Sequence, residues 1–276
     1  MTNLTVSATV FGNPIEQSKS PVIHSMFAKQ FDIPLQYSKT QANAGEFTQA
    51  VSGFFTDQQA VGANVTMPFK DDALNWVDEL SAVAQRAGAV NTIIRKGERF
   101  VGDNTDGYGL VSDLLAHNVV LKGTNVLLIG AGGAAKGALP ALVDAEIAKV
   151  DIYNRSEGKA SDLVTYTNSY KHNVARMYKH NNGPYSVIVN ATSLSLQSQV
   201  PALEHNIFAQ NPAVYDMVYL NEPTVFLKLA QQHECTTTID GLGMLVHQAA
   251  KSFELWFGKT PNTQPVYDHL RALLLE

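Results

Sequence analysis

The chain contains a single cysteine, Cys235, among its 276 residues. One cysteine excludes an internal disulfide and any metal site built on a cysteine cluster. The patterns His-Glu-x-x-His, EF-hand, P-loop and Gly-x-Ser-x-Gly are also missing, which argues against metal, phosphotransfer and serine-hydrolase chemistry. We therefore expect no bound metal.

Long runs of one residue class are scarce too. No apolar stretch approaches the length of a membrane span, and residues 1–6 lack the basic region and apolar core of a signal peptide. The net charge is −5 and no long basic run occurs, which disfavours nucleic acid and anionic membrane surfaces as partners. These absences predict a cytoplasmic protein that binds neither nucleic acid nor a membrane.

The chain does contain strand patterns that alternate with helix patterns. The first part predicts strands at 7–11, 35–39 and 62–66, a hairpin of 90–95 with 99–101, and helices from 20 onward, at 47–55, at 69–80 and at 109–117. The second part predicts strands at 125–129, 150–153, 186–190, 213–217 and 236–239, and helices at 134–144, 224–232 and 244–257. Such alternation indicates an α/β protein with parallel sheets.

Turn clusters at 102–107 and 240–243 divide the chain into two α/β domains. We expect residues 1–104 with 243–276 to form a substrate-binding catalytic domain. Residues 105–242 would form a doubly wound, Rossmann-type dinucleotide domain. The C-terminal helix then returns to the first domain, so that the chain crosses twice and leaves a cleft between the two.

A glycine-rich turn follows the continuous apolar strand at 126–129. Gly130 permits a tight turn, and Gly132 and Gly133 let the backbone approach a pyrophosphate at the start of a helix. Ala135 takes the third position of the fingerprint, a tolerated variant. The placement between strand and helix predicts a bound dinucleotide, although a glycine-rich turn without a ligand is the alternative.

The residues after the second strand of this domain select the cofactor. NAD sites usually carry an acid at this point, whereas this chain has Asn154, Arg155 and Ser156, with Lys159 nearby. Arg155 and Lys159 would attract a 2′-phosphate, Arg155 through a bidentate contact. NADP is therefore the expected cofactor, unless Arg155 is only a solvated surface residue.

Lys70 lies in the first turn of the helix that Pro68 opens. The positive end of the helix dipole disfavours a cation there by a few tenths to about 1 kcal/mol, which suits a lysine that exchanges a proton. Asp71 and Asp72 offset that charge, and from the residues alone a surface lysine is the simpler interpretation. Asp106 directly precedes another predicted helix, where an N-cap is the simpler interpretation.

Other polar residues lie where ligands bind in α/β proteins. Asn64 and Thr66 end a strand, at the carboxyl edge of a sheet. Ser18 and Ser20 lie at a helix start, where hydroxyl and N–H groups can hold a carboxylate or serve only as turn and cap groups. Asn91 needs a partner if it is buried within its apolar strand.

Taken together, these segments resemble the shikimate dehydrogenase family along nearly the whole chain. The matching segments, in family order, are 11–24, 62–70, 87–92, 102–107, 130–134, 154–156, 190–193, 215–217 and 240–244. The resemblance implies NADPH-dependent, reversible reduction of 3-dehydroshikimate to shikimate in aromatic amino-acid biosynthesis, with a small-molecule substrate. A homodimer is left open.

The resemblance also implies roles for individual residues. Lys70 and Asp106 would form the catalytic pair. The substrate contacts would be Ser18, Ser20, Asn64, Thr66, Asn91, Tyr219 and Gln248. The NADP contacts would be Gly130, Ala131, Gly132, Gly133, Ala134, Asn154, Arg155, Ser156, Lys159, Thr192, Ser193, Met217 and Gly241, with Met217, Tyr219 and Gly241 at the nicotinamide end.

Two departures and two rival functions complete these expectations. Ser156 stands where the family usually has Thr, and residues 194–198 lack the glycine that commonly follows Ser193. The first rival is a quinate/shikimate dehydrogenase of relaxed specificity. The second is a non-catalytic NADP-binding sensor, which would not need both Lys70 and Asp106.

Overall fold

The computed structural model of the chain describes residues 4–180 and 183–275. Within them the strands are β1 (Val6–Gly12), β2 (Leu35–Gln41), β3 (Ala60–Val65), β4 (Glu79–Leu80), β5 (Thr92–Lys96), β6 (Arg99–Asp103), β7 (Asn125–Ile129), β8 (Lys149–Tyr153), β9 (Ala175–Met177), β10 (Val187–Asn190), β11 (Ala213–Asp216) and β12 (Thr238–Asp240). The helices are α1 (Ser20–Lys29), α2 (Phe47–Phe54), α3 (Lys70–Trp76), α4 (Ala82–Ala87), α5 (Asp106–Ala116), α6 (Gly133–Asp144), α7 (Glu157–Tyr170), α8 (Val225–Gln232), α9 (Leu242–Phe257) and α10 (Gln264–Leu275).

The chain folds into two compact units, each built from two chain segments. Unit 1 contains the residues up to Gly109 together with Val246–His269. Unit 2 contains Leu110–Leu245 and the residues from Leu270 onward. The prediction of two α/β domains, with a C-terminal segment that returns to the first, is confirmed.

Unit 1 contains a mixed six-stranded sheet in the order β2-β1-β3-β5-β6-β4. The first three strands are parallel, and β5 pairs antiparallel with both β3 and β6, so the predicted hairpin is confirmed. The helix predicted at 69–80 is wrong over its last four residues. It ends at Trp76, and Glu79–Leu80 instead forms an edge strand parallel to β6.

One helix of unit 1 lies very close to its sheet. A Cβ added at Gly62 would lie 2.1 Å from Nε1 of Trp256 on α9. The same Nε1 donates a hydrogen bond to the Ile93 carbonyl at 3.0 Å. Only glycine at position 62 leaves room for the indole at this distance.

Unit 2 contains a fully parallel six-stranded sheet in the order β12-β11-β10-β7-β8-β9. Its central strand β7 is apolar from Val126 onward because helices and loops cover both faces. Val126 and Leu128 pack in one core cluster, and Leu127 and Ile129 pack in the other. This is the predicted doubly wound, Rossmann-type arrangement.

The register of unit 2 places functional segments at one edge of the sheet. Ile129 at the end of β7 pairs with Tyr153 and Asn190, and Asp216 pairs with Asn190 and Asp240. Because these strands are parallel, the loops that follow them leave from the same carboxyl edge. The glycine turn follows β7, where the strand order reverses direction, and ligands bind at this point in open α/β sheets.

Within residues 4–180 and 183–275, no helix combines the length and the apolar character needed to cross a membrane.

Candidate active site

Two helix starts bring Lys70 and Asp106 together in unit 1. Lys70 is the first residue of α3 and Asp106 the first of α5. The Lys70 Nζ donates a hydrogen bond to Asp106 Oδ2 at 2.5 Å, and the two side chains are 23% and 12% exposed. Both side chains are thus mostly buried, and a small part of each remains accessible.

The second oxygen of Asp106 is held by Asn91. The Asn91 Nδ2 donates to Asp106 Oδ1 at 2.8 Å, and Asn91 Oδ1 accepts from the Thr105 N–H at 2.9 Å. The Asp106 N–H is satisfied by Asn104 Oδ1 at 3.1 Å. Asn104 therefore does the capping that the sequence alone suggested for Asp106, and the Asp106 carboxylate faces Lys70.

Asn64 belongs to a buried hydrogen-bond network that adjoins this pair. Its Oδ1 accepts from the Tyr37 hydroxyl at 2.7 Å, and its Nδ2 donates to Ser252 Oγ at 3.0 Å. Burial raises the pKa of Tyr37, so its hydroxyl keeps the proton that it donates. Ser252 Oγ also lies 2.8 Å from Thr92 Oγ1.

No local sequence pattern points to Tyr37, Thr92, Thr105 or Ser252 of this network. Ser252 is fully buried in α9, on the same helix as the buried apolar residues Ala249 and Phe253. A polar residue on a buried helix face was the available clue, because such a group needs a partner.

Gln248 reaches the same network from α9. Its Oε1 accepts from Thr105 Oγ1 at 3.3 Å and lies 3.5 Å from Asn91 Nδ2. Gln248 is half-buried, so part of the side chain remains open to a ligand.

Ser18, Ser20 and Thr66 also belong to unit 1. Ser18 Oγ donates to Ser20 Oγ at 3.2 Å at the start of α1, and Thr66 is half-buried after β3. Among the described residues, no hydrogen bond joins these three side chains to Lys70 or Asp106. The structure therefore does not link them directly to the pair.

In unit 2 the glycine turn has the shape that a phosphate site needs. Gly130 has a φ of +114°, and a Cβ there would lie 3.2 Å from the Ala191 oxygen. Nothing lies within 4 Å of a Cβ added at Gly132 or Gly133. Gly130 is thus required by the turn itself, whereas the other two leave open space in front of the N-terminus of α6.

A cavity of about 430 Å³ adjoins this turn. Its lining residues are Ile129, Gly130, Tyr153, Asn154, Arg155, Thr192, Ser193, Leu194, Gln197, Gln199, Val200, Pro201 and Ala202. Arg155 is a cation and no carboxylate occurs among these described lining residues, so the cavity favours an anion. Ser156 and Lys159 are exposed and do not line it.

Asn154 links the glycine turn to this cavity. Its Oδ1 accepts from the Ala131 N–H at 3.2 Å, and its Nδ2 donates to the Ser156 carbonyl at 2.9 Å. Ala131 is buried and Ala134 is exposed at the start of α6. The Asn154 side-chain amide thereby fixes the position of the loop after β8 against the loop after β7.

The residues expected at the nicotinamide end lie together after β11 and β12. A Cβ at Gly241 would lie 2.0 Å from the Met217 oxygen, so these two backbones touch. The Gly241 N–H donates to the Val218 carbonyl at 3.3 Å. Tyr219 follows directly and is half-buried, and burial raises its pKa.

Residues 4–180 and 183–275 hold no group of three or more His, Cys, Asp or Glu side chains arranged to bind a metal ion.

Family models match most of the chain. The shikimate dehydrogenase substrate binding domain matches residues 10–93, shikimate/quinate 5-dehydrogenase matches 113–206, and the shikimate 5′-dehydrogenase C-terminal domain matches 241–271. A solved shikimate 5-dehydrogenase from Thermus thermophilus, in complex with NADP(H) and shikimate, is 30% identical with a TM-score of 0.84. The match covers 98% of this chain and all of that one.

A solved structure with a similar fold is named for another substrate. A solved 5-ketofructose reductase of Gluconobacter is 28% identical, with a TM-score of 0.87 over 98% of this chain and 99% of that one. The similarity in sequence is greater to a Vibrio cholerae relative named shikimate dehydrogenase (NADP(+)), which is 46% identical over 96% of this chain and 95% of its own length. The chain belongs to the shikimate dehydrogenase family.

Proposed function

We propose that this chain catalyses the NADPH-dependent, reversible reduction of 3-dehydroshikimate to shikimate in aromatic amino-acid biosynthesis. The observation that carries the proposal is the Lys70–Asp106 pair. Its Nζ and Oδ2 atoms are 2.5 Å apart, and both side chains are mostly buried. Relatives named for this reaction support it, because they match nearly the whole chain.

The reaction adds a hydride to a ketone carbon and a proton to its oxygen. Bound NADPH supplies the hydride. Lys70 donates a hydrogen bond to the ketone oxygen, stabilises the charge that develops there and gives up its proton to form the hydroxyl. Asp106 keeps the Lys70 amine in position through their hydrogen bond.

The remaining polar residues of unit 1 would hold the substrate. Ser18 and Ser20 offer hydroxyl groups for its carboxylate, and Thr66 and Gln248 offer groups for its ring hydroxyls. The side chains of Asn64 and Asn91 already form several hydrogen bonds within the protein. We therefore assign those two mainly to shaping the site. Tyr219, a residue of unit 2, is a separate candidate for substrate contact.

Unit 2 would hold NADP. The open space at Gly132 and Gly133 suits the pyrophosphate, and the cavity with Arg155 suits the adenosine 2′-phosphate. Thr192, Ser193, Asn154 and Ser156 would flank the adenosine half. Met217 and Gly241 would lie at the nicotinamide ring, and Lys159 would contribute charge from outside the cavity.

A quinate/shikimate dehydrogenase of relaxed specificity is the second candidate, because one matching family model covers both activities. The test is a spectrophotometric assay of NADP⁺ and NAD⁺ reduction with shikimate and quinate in all four combinations, with 5-ketofructose and NADPH as a fifth arm. Shikimate with NADP⁺ should give the highest kcat/KM. Comparable rates with quinate would support the second candidate, and no turnover in any arm would overturn both.

Location and assembly are separate proposals. We expect the enzyme to work in the cytoplasm, and cell fractionation tests this. A homodimer is a further hypothesis, and sedimentation decides between the 30.0 kDa monomer and twice that mass.

A further inference from the structure

Ser195 is a buried residue in an otherwise accessible turn of unit 2. Leu194–Gln197 forms a 3-10 turn after β10, in which Leu196 and Gln197 are exposed while Ser195 is only 2% exposed. The Ser195 Oγ donates a hydrogen bond to Asp216 Oδ2 at 2.6 Å. The turn lies within residues 194–198, which lack the expected glycine, and the Ser195 hydroxyl points inward.

Asp216 collects hydrogen bonds from several segments at the carboxyl edge of the sheet. It is fully buried at the end of β11. Its Oδ2 accepts from Ser195 and from the Thr224 hydroxyl at 2.7 Å, and its Oδ1 accepts from the Val218 N–H at 3.1 Å and Asn190 Nδ2 at 3.3 Å. Burial raises the pKa of Asp216, and these donors counteract that shift.

Backbone hydrogen bonds close the turn on itself. The Leu196 N–H donates to the Ser193 oxygen at 3.1 Å, and the Gln199 N–H donates to the Leu194 oxygen at 3.0 Å. The Ser195 hydroxyl therefore fixes the whole turn relative to β11, not one side chain.

This turn forms a wall of the cavity beside the glycine turn. The residues that line it include Leu194 and Gln197 of the turn, Thr192 and Ser193 directly before it, and Asn154 and Arg155 of the loop after β8. Because the turn and Arg155 line the same cavity, a shift of the turn would change the shape of the cavity that contains Arg155.

We propose that Ser195 is a positioning residue for the adenosine half of NADP. It does not line the cavity. Its hydrogen bond to the buried Asp216 holds the turn Leu194–Gln197 at the distance from Arg155 that the 2′-phosphorylated adenosine requires. The inference rests on the proposed function in that NADP is the ligand.

Ser195→Ala tests this, with Thr224→Ala as a matched control. Both substitutions remove one hydroxyl from the same Asp216 oxygen, but Thr224 caps α8 and has no part in the cavity wall. The probe is adenosine 2′,5′-bisphosphate, measured by titration calorimetry, together with KM for NADPH and for shikimate and the free energy of unfolding.

We expect Ser195→Ala to weaken bisphosphate binding and raise KM for NADPH by about tenfold, the scale of one hydrogen bond to a charged group. KM for shikimate and kcat should change less than about twofold. Thr224→Ala should lose at least as much stability, because it also loses the cap, yet bind the bisphosphate as wild type does. Ser195→Thr, which keeps the hydroxyl, should restore binding.

Two results would overturn the inference. The first is a Ser195→Ala protein that is less stable but binds the bisphosphate normally, which would make the contact purely structural. The second is an equal loss of binding in Thr224→Ala, which would assign the effect to Asp216 and not to the turn. A wild-type protein that neither binds the bisphosphate nor oxidises shikimate would instead refute the proposed function.

Discussion

Lys70 and Asp106 are 36 residues apart in the chain and meet through two helix starts. Each carboxylate oxygen of Asp106 has a different partner, Lys70 on one side and Asn91 on the other. This arrangement fixes the carboxylate, which in turn fixes the ammonium. The precision of the pair therefore depends on a residue that need not touch the substrate.

Replacing Lys70 tests the catalytic role directly. We expect Lys70→Ala to lower kcat by about 10²- to 10⁴-fold, the usual contribution of a positioned acid–base group, with a small change in KM. The measurement is initial rate with saturating NADPH and 3-dehydroshikimate. Asp71→Asn, in the same helical turn but exposed, should behave as wild type. An unchanged kcat in Lys70→Ala would refute the role.

His24 is a second residue whose environment has a measurable consequence. It is fully buried, and its ring stacks on the Tyr37 ring with 4.5 Å between the ring centroids. Burial lowers its pKa from 6.5 to about 3. Between about pH 3 and pH 6.5, His24 therefore binds a proton in the unfolded chain but not in the folded protein.

The sign of the pH effect follows from that difference. The free energy of unfolding should fall below pH 6.5 by about 1.4 kcal/mol for each pH unit, until the pH nears 3. Between about pH 7.5 and about pH 5, His24→Phe should lose about 2 kcal/mol less than wild type in urea unfolding. His172→Phe, at an exposed position, should lose as much as wild type. Equal losses in all three proteins would contradict the assignment to His24.

At the scale of elements, two glycines of unit 2 lack a side chain for opposite reasons. Nothing lies within 4 Å of a Cβ at Gly132, whereas a Cβ at Gly241 would overlap the Met217 backbone. One glycine leaves room for a ligand, and the other lets two loops touch.

Alanine at each position separates these requirements. Gly132→Ala should change the free energy of unfolding by less than about 0.5 kcal/mol but weaken NADP⁺ binding about tenfold or more, since the Cβ enters the phosphate space. Gly241→Ala should lose about 1–3 kcal/mol, since a backbone must shift. Urea unfolding and titration calorimetry measure both. Loss of stability in Gly132→Ala without loss of binding would disprove this division.

The sequence predicts most helices and strands. Where it fails, either a distant strand partner or a weak local pattern is the reason. Periodicity alone extends α3 to residue 80, but pairing with β6 converts Glu79–Leu80 into a strand. The Asp78 N–H donates to the Phe100 oxygen and Asp78 Oδ2 accepts from the Phe100 N–H, and no local pattern reports such a distant partner. α7 was also missed, because it buries few side chains on a mostly polar helix.

The candidate site was predictable only in part. The glycine turn and Arg155 follow from local pattern, because their chemistry lies within one strand–turn–helix unit. Read singly, Lys70 and Asp106 favour a surface residue and a cap. The family resemblance indicated the pair, and the network of Tyr37, Thr92, Thr105 and Ser252 stayed hidden because it joins distant segments.

At the scale of the whole molecule, unit 2 contains the candidate NADP residues, and unit 1 contains the candidate substrate residues apart from Tyr219. Hydrogen exchange should therefore separate the two ligands. NADP⁺ alone should slow exchange of the amides at 130–135 in unit 2, and shikimate alone should slow exchange at 64–70 and 104–106 in unit 1. Protection of 130–135 by shikimate and of 104–106 by NADP⁺ would reverse the assignment.

The tight fit between Gly62 and Trp256 has a consequence for biosynthesis. Gly62 is translated before Leu110–Leu245, and Trp256 after it. At about 5–20 residues per second, the ribosome needs on the order of ten seconds to make that intervening unit. During this time the strands of unit 1 have no indole to cover them, so the nascent chain presents an uncovered sheet face to chaperones until α9 emerges.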